Sequence, residues 1–210
     1  AVAEGTLGSW LAGRAGRTIS IDVEGRGTPA GGDAWALALA EDAGHAVTVD
    51  LTSLAPADET ALAAWLADAE APKAVHGAKP TLHALAGRGL ELAGVVFDTE
   101  LAAYLCHPDQ RNYELGDLAI RHLHRELRVD DSGNDSDQGS LDLDLAAGGA
   151  NRRGGARAAA VAELTEALAA ELADREATHL LEEVELPLVA VLAAMERAGI
   201  AADVAELTEL

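Results

Sequence analysis

Three short apolar runs near the start of the chain constrain its fold more than any other feature. In "ISIDVEG", Ile19, Ile21 and Val23 alternate with Ser20, Asp22 and Glu24, the period-two pattern of a strand with one buried face. "AWALALA" repeats the pattern with Trp35, Leu37 and Leu39 set among alanines, and "HAVTVDL" repeats it with Val47, Val49 and Leu51. The links "GRGTPAGGD" and "EDAG" are short and rich in turn residues. Short links join neighbouring antiparallel strands, so a three-stranded meander is expected.

Beyond the meander the periodicity changes. Leu62, Trp65, Leu66 and Ala69 recur at helical spacing between Asp58 and Glu70, with Asp58 and Glu59 near the positive end of the helix dipole. "KAVHG" then reads as a short strand, "TLHALAGRG" as a helix closed by Gly87 or Gly89, and "LAGVVFDT" as another strand. Asp98 and Thr99 are good N-cap types for a helix through "ELAAYLCH", which stops before Pro108. A further helix is expected over Leu115 to Leu127. The order is that of an α/β chain, a mixed sheet with helices on its faces.

From about residue 130 to 155 the sequence turns to "DDSGNDSDQGSLDLDLAAGGANRRGG", rich in Asp, Gly and Ser. Little there can be buried, so a mobile acidic loop is expected. Asp131, Asp135 and Asp137 suggest a calcium loop, but the glycine and closing glutamate of an EF-hand do not fall in place. An alanine-rich helix carrying Val161, Leu164, Leu168 and Leu172 is expected from Ala156 to Leu180. Another follows in "LLEEVELPLVAVLAAMERAG", with Pro187 as a kink or restart and Gly199 as the stop. "DVAELTEL" then reads as a helix start without a partner, so the chain is expected to be a slice of a longer polypeptide.

Composition narrows the function classes. The formal charge of −21 argues against a broad electrostatic grip on nucleic acid, which draws on Lys and Arg neutralising phosphates. Cys106 is the single cysteine, which excludes an internal disulfide and a multi-cysteine zinc site and fits a reducing cytoplasm. No run of about 18 apolar residues suggests a membrane span, and the start of the chain lacks an export-signal pattern.

One motif carries chemistry. Asp22 and Glu24 point to the same side of their strand, and paired carboxylates suit hard cations such as Mg²⁺ or Mn²⁺. A solvated strand face explains the same spacing.

Several segments together resemble the 3′-to-5′ exonuclease domain of DNA polymerase I, the bacterial family A polymerase, and its junction with the polymerase domain. "ISIDVEG" resembles the first exonuclease motif, a strand bearing D-x-E. "GLELAGVVFDTELAAYL" resembles the segment after the second motif, and "LLEEVELPLVAVLAAMERAGIAAD" the helix that opens the polymerase domain. The resemblance implies a ribonuclease-H-like fold of the DnaQ-like exonuclease type, a mixed sheet flanked by helices. It places the exonuclease-like domain at 1–180, including the acidic loop, and the truncated start of the polymerase domain at 181–210.

Active members hold two metal ions on four carboxylates, with a tyrosine that positions the attacking water. Here the first motif keeps Asp22 and Glu24. Counting back from Phe97 places the second motif's aspartate at Thr81, with Pro80 before it and Gly77 where the family often has asparagine; Lys79 survives. The third motif's tyrosine and aspartate fall on Arg152 and Ala156, and residues 148 to 164 contain neither Tyr nor Asp. His76 and His83 are poor partners for Mg²⁺ and read as helical-face or surface residues. Glu163 reads as solvated.

The resemblance therefore implies a degenerate, catalytically inactive exonuclease-like domain in which Asp22 and Glu24 are vestigial and no tight metal is expected. Its work would be structural, with the polymerase domain of the same chain as partner and DNA reached through the full-length protein in replication and repair. The alternative is an active Mg²⁺-dependent proofreading exonuclease using Asp22 and Glu24 with substitutes such as Asp98 or Glu163. A free-standing ribonuclease D-like enzyme is a third reading, weakened by the polymerase-like C-terminal helix.

Overall fold

The structure is a computed structural model that describes residues 4–127, 143–201 and 208, with the backbone alone over 143–152. Its centre is a five-stranded sheet in the order β3-β2-β1-β4-β5. β1 (Ile19–Arg26), β2 (Asp33–Ala40) and β3 (Ala46–Asp50) form the antiparallel meander. β4 (Lys73–Val75) and β5 (Val95–Asp98) add in parallel on the other side of β1. Each of these parallel additions needs a crossover, which the intervening helices supply.

The two faces of the sheet are built differently, and the alternation along the strands is the cause. One face carries Ile19, Ile21, Leu37, Leu39 and Val49, all buried against α1 (Leu7–Ala12), α2 (Pro56–Ala67) and α3 (Ala78–Gly87). The other presents small or polar residues, Ser20, Asp22, Ala38, Ala40 and Thr48. That small-residue face is covered by a long helix, α6 (Leu143–Asp174), whose Ala158 and Ala159 pack on Ala38 and Ala40. Further along, Val161, Leu164, Leu168 and Leu172 of α6 bury themselves with α4 (Thr99–Cys106) and α5 (Leu115–Leu123).

Local signals explain most boundaries. Gly89, at φ +82°, closes α3 while the Leu90 amide returns to the Leu85 carbonyl at 2.9 Å, the hydrogen-bond pattern of a left-handed helix stop. After α7 (Thr178–Leu180), the chain widens into a π-helical turn at Leu181–Glu185, then continues as α8 (Leu186–Ala198). Pro187 lacks the N–H that a regular ladder needs, so the irregular turn beside it is the expected accommodation. Gly199 ends α8 at φ +68°.

Three expectations are adjusted. The segment 130–155 is not all loop: residues 128–142 lie outside the described residues, but α6 already begins at Leu143. Asp58 does more than complement a dipole: it is buried, and its carboxylate accepts the amides of Gly5 at 2.6 Å and Leu7 at 3.0 Å. It thereby anchors α1, a helix the periodicity did not suggest. The helix expected to reach Leu127 stops at Leu123, followed by His124 at φ +55°. Among the described residues no helix is long and apolar enough to cross a membrane.

Ile21 is 1% exposed on the large-residue face of the central strand. Ile21→Ala is expected to cost about 2 to 5 kcal/mol through lost burial and a cavity, read from the midpoint of urea unfolding at unchanged slope.

Candidate functional site

β1 brings Asp22 and Glu24 to the same side, as the alternation predicts, and both line a crevice with Ala36, Ala38, Thr48 and Gly154. The crevice has a volume of about 10 Å³, barely the room of one water. It is this narrow because α6 lies close to the sheet. A Cβ on Gly154 would stand 3.3 Å from the Ala38 Cβ, and one on Gly155 would stand 3.6 Å from the Ala46 Cβ.

The close approach delivers a residue that the sequence reading did not single out. Arg157, on the first sheet-covering turns of α6, donates its Nε–H to both Asp22 oxygens, at 3.0 and 3.1 Å. The Asp22 side chain is 11% exposed, and the Arg157 side chain 38%. Burial raises the Asp22 pKa; the charge of Arg157 and its hydrogen bond oppose that rise, and the charge of Glu24 adds to it. The sequence carries no local signal for this pairing, since the two residues stand 135 apart along the chain.

The remaining candidates are engaged elsewhere. Thr81 is buried and its hydroxyl donates to the Gly77 carbonyl at 2.8 Å. Gly77 sits at φ +77° before α3, a conformation that glycine adopts without strain. Ala156 is exposed on α6, and the Arg152 side chain lies outside the described residues. Glu163 pairs with Arg125 at 2.6 Å.

Asp98 is an N-cap, and more than one. Its carboxylate accepts the amides of Glu100 and Leu101 at the start of α4, and those of Gly77 and Ala78 at the start of α3, the last at 2.6 Å. One buried carboxylate thus satisfies amides of two helix starts. Burial raises its pKa, while those four hydrogen bonds work against the rise.

The histidines divide. His76 follows β4 and bonds through Nδ1 to the Thr99 hydroxyl at 2.9 Å. Burial, and secondly the charge of Arg157, push its pKa down to about 4. His83 is not a surface residue: it is 3% exposed, with Nε2 2.7 Å from a Glu196 oxygen. Lys79 reaches the other Glu196 oxygen at 2.8 Å. Lys79 therefore tethers α3 to α8.

Chemically, the arrangement is an acid pair already served by an internal cation, surrounded by neutral groups. A guanidinium that bridges both oxygens of a carboxylate takes the positions a cation would occupy.

Comparisons with known proteins agree with this architecture. A family profile described as "DNA polymerase I, ribonuclease H-like domain" matches residues 31–132. The DNA polymerase I of Mycobacterium tuberculosis is 48% identical over 212 residues, covering 100% of this chain and 23% of that protein. The chain thus spans about a quarter of the length of the curated relatives it matches. The solved structure of the POL domain of Pol1 from M. smegmatis, in complex with DNA primer-template and dNTP, superimposes with a TM-score of 0.86 at 42% identity, over 100% of this chain and 33% of that one. Escherichia coli RNase D shares the fold, with a TM-score of 0.66 at 18% identity, over 93% of this chain and 49% of that one.

Two outcomes follow from the site. Arg157→Ala leaves a largely buried carboxylate without its partner and is expected to destabilise the chain by about 1 to 3 kcal/mol; Asp22→Asn should then recover part of that loss, which a double-mutant cycle in urea measures. For His76, the unfolded imidazole takes up a proton near pH 6.5, whereas the folded one resists until about pH 4. In that window the unfolded state binds more protons, so this group removes stability as the pH falls. His76→Asn is expected to lessen the loss of unfolding free energy between pH 7 and pH 4.5, by on the order of 2 kcal/mol.

Proposed function

The chain belongs to the ribonuclease H-like domain family of DNA polymerase I, and we propose that within it this domain is catalytically degenerate and acts as structural support for the polymerase domain. The observation that carries the proposal is Arg157, which holds both oxygens of Asp22. Two-metal catalysis places its ions about 3.5 to 4 Å apart, and even two unit charges 4 Å apart repel by about 4 kcal/mol at an effective dielectric of 20. Compensation has to come from several carboxylates. Here Asp22 and Glu24, offset by the guanidinium of Arg157, leave a single net negative charge, and Thr81 and Ala156 add none. The residues present do not fit a pair of hard divalent cations.

The structural role draws on a second observation. Leu180, Val184, Leu188, Val191, Leu192 and Met195, across α7, the π turn and α8, are large apolar side chains left 38% to 62% exposed. Such a row is a docking face, and the relatives are about four times as long as this chain. The polymerase domain of the same polypeptide is the occupant we assign to it, with DNA reached through that domain during replication and repair.

The test is direct. The purified chain is expected to release no nucleotides from single-stranded or mismatched 3′ ends in Mg²⁺ or Mn²⁺, and its melting temperature should not rise with either ion. In the full-length polymerase, Asp22→Asn with Glu24→Gln should leave the error rate unchanged. Steady nucleotide release that Asp22→Ala abolishes would overturn the degenerate reading in favour of an active proofreading exonuclease.

A further inference from the structure

The ends of three helices meet on the side of the molecule far from Asp22. His107 follows the last residue of α4, His122 lies in the last turn of α5, and Glu171 lies in the last turn of α6. The His107 Nε2 is 2.8 Å from one Glu171 oxygen, and the His122 Nδ1 is 3.9 Å from the other. One ligand atom from each residue can be chosen so that all three lie within 4.8 Å of one another, and among the described residues this is the one such group of three. Glu171 stands fourteen residues beyond Arg157 on the same helix, about 21 Å along its axis at 1.5 Å per residue. The cluster is thus separate from the degenerate exonuclease motifs.

We propose that His107, His122 and Glu171 form a binding site for a divalent transition metal of the Zn²⁺ class. Two imidazoles and a carboxylate suit Zn²⁺, Co²⁺ or Ni²⁺ and suit Mg²⁺ poorly. A tetrahedral zinc with bonds of about 2.0 Å spaces its ligand atoms by about 3.3 Å, between the two separations observed. Small side-chain rotations at partly exposed positions close the difference, since the three side chains are 15% to 30% exposed. The fourth position would be filled by water.

Two neighbours set the limits of the site. Arg175 donates Nε and Nη2 to the same Glu171 oxygen as His107, at 3.1 and 3.0 Å. Its side chain is 45% exposed, so it can turn into solvent when a metal takes the carboxylate. Cys106 is buried, and burial first, then the charge of Glu171, push its thiol up to about 11. It is not among the three residues whose ligand atoms come together.

The experiment uses the whole 210-residue chain, free of any purification tag, titrated with Co²⁺ and followed by visible absorption. We expect one equivalent to saturate the ligand-field bands, Zn²⁺ to displace it, and millimolar Mg²⁺ to leave it in place. His122→Gln and Glu171→Gln should each weaken binding at least tenfold, while Glu163→Gln, whose carboxylate pairs with Arg125, should not. Arg175→Ala should tighten binding, because it frees the carboxylate of its competing guanidinium. That variant keeps the proposal testable if a ligand variant fails to fold. No saturable band, equal affinity in the ligand variants, or weaker binding in Arg175→Ala would overturn the site and leave the cluster as a set of ion pairs.

Discussion

The close seating of α6 on the small-residue face of the sheet is the contact on which the rest depends. Gly154, Gly155, Ala158 and Ala159 meet Ala38, Ala40, Ala46 and Thr48, with almost no side-chain volume between helix and strands. A larger residue at buried Ala38, Ala40, Ala158 or Ala159, or at Gly154, where even a Cβ would stand 3.3 Å from that of Ala38, would press helix and sheet apart, because close-packed interiors absorb extra volume only by moving backbone. The seating closes the crevice beside Asp22 and brings Arg157 to its carboxylate. It also sets the height at which Leu164, Leu168 and Leu172 reach the core under α4 and α5.

The electrostatics follow from that geometry. Asp22 is buried enough for its charge to be costly, and a guanidinium carried on the covering helix offsets the cost. A bound metal would have to be recruited from solution and would bring two positive charges; an arginine is attached to the chain and brings one, which is what a single carboxylate can balance. Asp98 and Asp58 show another solution, in which buried acids are satisfied by backbone amides at helix starts. The acidic surplus of the chain therefore does not imply unpaired acids in its core.

How much of this was legible in the sequence depends on the range of the interaction. The strands of the meander and their antiparallel order followed from period-two alternation and short links, the end of α8 from Gly199, and that of α3 from the pair Gly87 and Gly89, of which Gly89 takes the positive φ. That Asp22 and Glu24 share one side of β1 was readable from the same alternation. The start of α6 was not, because four glycines between residues 148 and 155 look like a loop locally; at Gly154 and Gly155, tertiary contact with the sheet uses the absence of side chains. The pairing of Arg157 with Asp22 spans 135 residues and that of Lys79 with Glu196 spans 117, and neither leaves a periodic trace. The Asp98 N-cap was visible from its own helix, but its second duty to α3 required the fold.

The two sides of α8 are treated differently. On one side of α8, Val189 and Ala193 are buried and Glu196 grips both Lys79 and His83 of α3. On the other, Leu188, Val191, Leu192 and Met195 stand exposed. A helix fixed by the Lys79–Glu196 ion pair, the His83–Glu196 hydrogen bond and apolar burial on its inner face cannot tilt freely without breaking them. Whatever covers its outer face is then positioned relative to α3, and through the shared Asp98 cap relative to α4 and the sheet. Lys79 and His83 of α3 are thus the points at which the α/β body holds α8.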